Sequence, residues 1–117
     1  MRSQLTRVCP RFKALQRALV LPQGAKTLPH HIIDISDGGL SFRYIGKKIK
    51  NTQISPVSLY HGEELIVGDL PAKVVSDLKL RDDFVPVRRG SLCFGSLSLE
   101  QRDKLSIFIE QFTEHFH

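Results

Sequence analysis

The sequence predicts a mainly β fold: a small antiparallel barrel with one C-terminal α-helix and a flexible N-terminal arm. Three observations predict it. Between residues 31 and 94, short β-branched or alternating segments are separated by turns rich in Gly, Pro and Asp, which is the pattern of a small all-β domain. After Ser98 the apolar period lengthens to that of a helix. The chain is 117 residues, 41% hydrophobic and 25% charged, which fits one ordinary globular domain able to bury roughly two-thirds of its unfolded surface.

The elements follow in order. Residues 1–10 lack periodicity and end at Pro10, so they read as a mobile terminus. Residues 12–21 contain no Gly or Pro. Their alternation is imperfect, and Leu15 and Leu19 also fit a helical face, but the sheet context that follows favours a strand. A turn is expected around Pro22 and Gly24. Residues 31–35 are short and β-branched, and residues 40–44 alternate apolar with polar. The two should form a hairpin whose loop holds Ser36, Asp37, Gly38 and Gly39. Residues 46–56 are polar and read as a long loop. Strands are then expected at 57–60, 64–67, 72–80, 85–88 and 91–94, broken by Gly62, Gly68, Pro71, a turn at 81–83, and Gly90. Ser98 with Gln101 fits a capping box. Leu105, Phe108, Ile109, Phe112 and Phe116 fall at helical spacing. This amphipathic helix of roughly four turns can bury its stripe only on the barrel.

Composition excludes several classes. No apolar run approaches the ~18 residues of a membrane span, and the N-terminus lacks the apolar block of a secretory signal. Cys9 and Cys93 make no disulfide framework, so a soluble, cytoplasmic protein is expected, and Met1 favours a complete chain. The formal charge is +5, unevenly placed. Arg2, Arg7, Arg11, Lys13, Arg17 and Lys26 all precede the first acid, Asp34, and the other 11 basic side chains face all 12 acids. The basicity therefore belongs to the N-terminal segment, which either meets an anionic partner or is a solvated tail.

No catalytic constellation is visible. None of the five histidines (His30, His31, His61, His115, His117) accompanies a nucleophile in an activating context. Neither cysteine has a CxxC partner for zinc, so Cys93 reads as a buried thiol and Cys9 as an exposed one. There is no Walker-type or GxGxxG loop. An enzyme is not expected, nor a metal or cofactor.

Two short motifs point to binding. Pro10 makes the residue before it extended, so Arg7 and Arg11 project to one side, about 13 Å apart. Such guanidiniums can each grip a phosphate or a guanine edge bidentately and stack on a base. Further on, Asp34 and Ser36 share one parity at a strand end. A carboxylate there can accept from the N1 and N2 edge of guanine, and a hydroxyl can donate to phosphate. Gly38 and Gly39 permit positive φ and close backbone approach. The plain alternative is a hairpin turn in which Asp and Ser bond locally.

In this order, Arg7 and Arg11 as RxxxR, then Asp34, Ser36 and Gly39 as DxSxxG, the motifs resemble those of the PilZ domain, a bacterial receptor for cyclic di-GMP. The resemblance runs from residue 7 to about 112. Leu40-Ser-Phe42 is similar to the family's next strand, Gly62 to Leu65 to its turn into a later strand, and residues 88–101 to its last strand and helix start. Thr6 stands where many members carry another basic residue, and the 46–56 insert is longer and more basic.

The resemblance implies a six-stranded antiparallel barrel over residues 12–117 with its C-terminal helix, preceded by a flexible basic arm over 1–11, and no catalysis. It implies a cyclic di-GMP site of Arg7, Arg11, Asp34, Ser36, Gly38 and Gly39. Ligand binding would change the arm's conformation to control motility, surface polysaccharide or virulence through a downstream protein partner. Membrane insertion and nucleic-acid binding are not expected. Two alternatives stay open: a small basic barrel binding single-stranded nucleic acid, and a PilZ-like adaptor acting by protein contacts only. Nine aromatic residues without a Trp argue against the first, and the intact motifs against the second.

Overall fold

The computed structural model describes residues 10–22, 29–49, 54–80 and 86–114. The elements are β1 (Phe12–Lys13), β2 (Ala18–Pro22), β3 (His30–Ser36), β4 (Gly39–Ile45), β5 (Ser55–His61), β6 (Glu64–Lys79), β7 (Val87–Phe94) and α1 (Leu99–Phe112). Six strands pair antiparallel in the ring order β3-β2-β5-β6-β7-β4, and β3 pairs with β4 to close it. This is the six-stranded barrel expected, with its single helix.

Several boundaries differ from the sequence reading, each for a physical reason. Residues 12–21 are two strands, not one. β1 pairs with Asp34 and Ile35 at one end of β3, and β2 with His30 and His31 at the other. Between them the chain leaves the sheet, and Arg17 takes a positive φ of 71°. The backbone groups released there are satisfied by the end of the helix. Leu15 N–H donates to Phe112 O at 2.9 Å, and Glu114 N–H to Lys13 O at 2.8 Å.

Gly68 and Pro71 do not divide β6, which is one bent strand of 16 residues. Its first part pairs with β5 and its second with β7. The irregular residues lie where its register against β5 shifts and Asp69 takes φ 56°, so they turn a corner of the barrel. Gly90 likewise does not break β7. A Cβ there would lie 2.4 Å from the Phe42 ring, so the glycine makes room for a core aromatic.

The core is formed by residues such as Ile35, Leu40, Leu59, Val67, Leu70 and Leu92, joined by Leu105, Phe108 and Ile109 of the helix. The capping box is present: Gln101 N–H donates to Ser98 Oγ at 3.1 Å, and Ser98 N–H to Gln101 Oε1 at 3.0 Å. The Gln101 amide also donates to Asp69 O at 2.9 Å. That bond and the ties at residues 13–15 lay α1 across the barrel end that carries the β3–β4 turn. Phe116, Cys9, His115, His117 and the turn at 81–83 lie outside the described residues. Cys93 is exposed rather than buried: it follows Leu92, which points into the core, and neighbours on a strand face opposite sides.

At the other barrel end a second ionic cluster is enclosed. The Asp77 carboxylate accepts from Arg88 Nε at 2.6 Å, from the Ile49 N–H at 3.0 Å and from the Tyr44 hydroxyl. Burial alone would raise the Asp77 pKa, but hydrogen bonds from Tyr44, Ile49 and Arg88 together hold it below the usual carboxylate value. Burial, and then the bond to Asp77, push Tyr44 up to about 12. His30 is stacked on Phe42 with ring centroids 5.3 Å apart, and its pKa is lowered by burial and by neighbouring His31.

Candidate functional site

Asp34 is the centre of the exposed face. On a regular strand it would share a side with Ile32, which is buried. The β3–β4 register slips between Ile32 and Asp34, and this bulge lets Ile32 and Ile35 point inward while the carboxylate faces out. Asp34 Oδ1 accepts from Arg11 Nη1 at 2.7 Å and from Ser41 Oγ at 2.7 Å. Asp34 Oδ2 accepts from Arg89 Nη2 at 3.1 Å, and the same nitrogen donates to Ser41 Oγ at 3.1 Å. The side chains of Arg11 and Arg89 are 49% and 38% exposed, that of Asp34 20%.

The arrangement leaves a surplus. Two guanidiniums carry ten N–H donors, whereas one carboxylate and one hydroxyl accept far fewer. One negative charge between two positive ones leaves a local excess of one, on a face open to solvent. Such a face can take a further anion, and the guanidinium planes can stack on a flat ring.

The remaining candidates fall beside this centre. Ser36 is buried and bonded within the turn: it accepts from Gly38 N–H at 3.2 Å and donates to Gly39 O at 3.4 Å. Gly38 O accepts from Phe94 N–H at 2.9 Å. Neither glycine takes the positive φ expected of it; Gly46 and Gly62 are the glycines with positive φ among the described residues. Gly39 is required by packing instead, since a Cβ there would lie 2.1 Å from Leu92 O. The turn also borders a cavity of about 230 Å³ lined by Asp37, Leu97, Arg102, Leu105 and Ser106. Arg7 lies outside the described residues. The structure thus joins Arg11 to Asp34 and sets Ser36, Gly38 and Gly39 in the adjoining turn.

Sequence reasoning missed Ser41 and Arg89. Ser41 was within reach, because a two-residue turn that pairs Ser36 with Gly39 also pairs Asp34 with Ser41. Arg89 gave no local signal, since it comes from β7, 55 positions beyond Asp34.

A closed small barrel whose exposed face combines arginines with an outward carboxylate offers charged donors and stacking planes of the kind that suit an anionic, ring-bearing ligand. Comparison with known families gives the narrower assignment. The PilZ domain model matches residues 5–111, and the chain belongs to this family of regulatory cyclic di-GMP-binding domains. No curated protein and no solved structure matches it. Among the described residues no helix is long and apolar enough to cross a membrane, and no group of His, Cys, Asp and Glu could hold a metal ion.

Proposed function

We propose that the chain is a cytoplasmic receptor domain for cyclic di-GMP. The observation that carries this reading is the Asp34 carboxylate held outward between Arg11 and Arg89 with donors to spare. The ligand offers what the face lacks: two phosphates for guanidiniums, and two guanines that can stack on them and present the N1 and N2 edge to Asp34. Arg7, four residues before Arg11, acts with it. The Ser36 hydroxyl, whose 3.4 Å bond to Gly39 O is long, exchanges that carbonyl for a phosphate, and the Gly38–Gly39 backbone borders the ligand.

Binding brings residues 1–11 over the barrel face and so makes or hides a surface for a downstream protein. This is a population shift driven by differential affinity, with motility, surface polysaccharide or virulence as the output. Calorimetry with cyclic di-GMP, cyclic di-AMP and a single-stranded oligonucleotide tests the reading. Heat of binding with cyclic di-GMP alone is expected. Equal binding of the oligonucleotide would move the protein to the nucleic-acid class, and no binding of any would leave an adaptor.

A further inference from the structure

The two arginines on Asp34 are held differently. Arg11 precedes β1, a strand of two residues at the margin of the sheet. Arg89 belongs to β7, which is paired on both sides, opposite Arg43 of β4 and Leu78 of β6. Its backbone is therefore fixed, and its Nη2 is shared between Asp34 Oδ2 and Ser41 Oγ. A guanine edge needs acceptor positions on the carboxylate, and Oδ1 is already occupied by Arg11 and Ser41. One donor must leave, and Arg11, more exposed and less tied, leaves at the smaller cost.

We propose that Arg89 is a positioning residue of the ligand site. It keeps the Asp34 carboxylate aimed outward and remains as its one guanidinium partner when a bound nucleotide draws Arg11 away. Arg11 is then the exchangeable cation, moving from carboxylate to ligand, and Arg89 the resident one. Without Arg89 the carboxylate would lose both its direct partner on Oδ2 and the nitrogen that steadies Ser41. This rests on the cyclic di-GMP reading above.

The test combines ligand-free and ligand-bound measurements on the full chain. In the free protein the side-chain carboxyl carbon of Asp34 is followed by NMR. Its resonance should move in Arg89→Gln, move less in Arg11→Gln, and return toward the wild-type position in Arg89→Lys. Calorimetry with cyclic di-GMP should show Arg89→Gln weakening binding by about ten-fold, the scale of one charge-assisted hydrogen bond. Arg89→Lys should be intermediate, with melting temperatures little changed.

In an Asp34→Asn background, Arg89→Gln should cost nothing further, because the residue acts through the carboxylate. Losses that add would mean Arg89 meets the ligand independently and would overturn the proposal, as would an unmoved Asp34 resonance in Arg89→Gln. If Arg89→Gln does not fold, Arg89→Met is measured in its place, and wild-type affinity and Asp34 resonance in that variant overturn the proposal equally. If the wild-type chain binds no cyclic di-GMP, the receptor reading fails, and the Asp34 resonance alone then judges the positioning.

Discussion

Among the described residues Asp34 and Asp77 are both bonded to arginines, and their surroundings differ. Asp77 is buried with a side chain 2% exposed, and a guanidinium, a hydroxyl and a backbone N–H converge on it. Asp34 is 20% exposed and shares two guanidiniums whose side chains are 49% and 38% exposed. The partners come from neighbouring residues on one strand: Arg88 points in and Arg89 out. The enclosed cluster is withdrawn from solvent and ties strands of the barrel together; the other is accessible to a ligand. Exposure, rather than the residue types involved, separates the two.

The sharpest way to break this comparison is Asp77→Ala. It should cost about 1–3 kcal/mol, since it leaves the Tyr44 hydroxyl and the Ile49 N–H without their shared acceptor. Losing the core ring in Phe108→Ala should cost more, about 3–5 kcal/mol. Asp34→Ala should cost only about 0–1 kcal/mol, as surface pairs do, while abolishing cyclic di-GMP binding. Equal losses of stability in urea unfolding would erase the distinction.

Next in size, Arg11→Ala and Arg7→Ala should each weaken cyclic di-GMP binding by about 1.5–3 kcal/mol, or roughly 10- to 100-fold. The urea midpoint of Arg11→Ala should stay where it is. Wild-type affinity in either variant would remove that arginine from the site.

The smallest effects concern pH. Asp77 is held below its ordinary pKa, so its contribution to stability is present above the usual carboxylate range and is lost as the pH falls through the lowered value. Tyr44 is raised to about 12, so its contribution is complete below 10 and is lost as the pH rises from 10 to about 12. Urea midpoints measured against pH should show the alkaline fall flattened in Tyr44→Phe. In a Tyr60→Phe background, ultraviolet titration should place the remaining tyrosine near 12; a value near 10 would mean that Tyr44 is not bonded to Asp77.

The parts of the molecule legible in sequence are those set by near neighbours. The Ser98–Gln101 cap and the stripe of Leu105, Phe108 and Ile109 emerge from helical spacing, and the β3–β4 hairpin from its alternation and its glycine-bearing loop, although Ser36 and Gly39, read as loop, pair within the strands. What stayed illegible depends on distant partners. Gly90 looked like a break because its reason is the Phe42 ring on β4. Residues 12–21 looked like one strand because the carbonyl and N–H of residues 112 and 114 that claim their middle lie a hundred positions away. The site divides the same way. The motifs gave Arg11 and Asp34 their place, but nothing beside them announced that a β7 arginine would complete the group.

Adjacent arginines with opposite destinations also bear on how the ring is sealed. β7 is the last strand to be made and bridges β6 to β4. Antiparallel strands can pair in more than one alignment, and a slide by one position exchanges every inward side chain for an outward one. Here a slide in one direction would set Arg89 in the inward place of Arg88 and leave Gly90 beside Asp34, and a slide in the other would set Val87 in the place of Arg88 beside Asp77, so either error leaves one of the two aspartates without its cation. An apolar pair at these positions would tolerate the error more readily. The Arg88–Arg89 pair works as a parity check on barrel assembly: the alignment that neutralises the interior is the same one that equips the surface, so a correctly closed barrel and a competent binding face arise together.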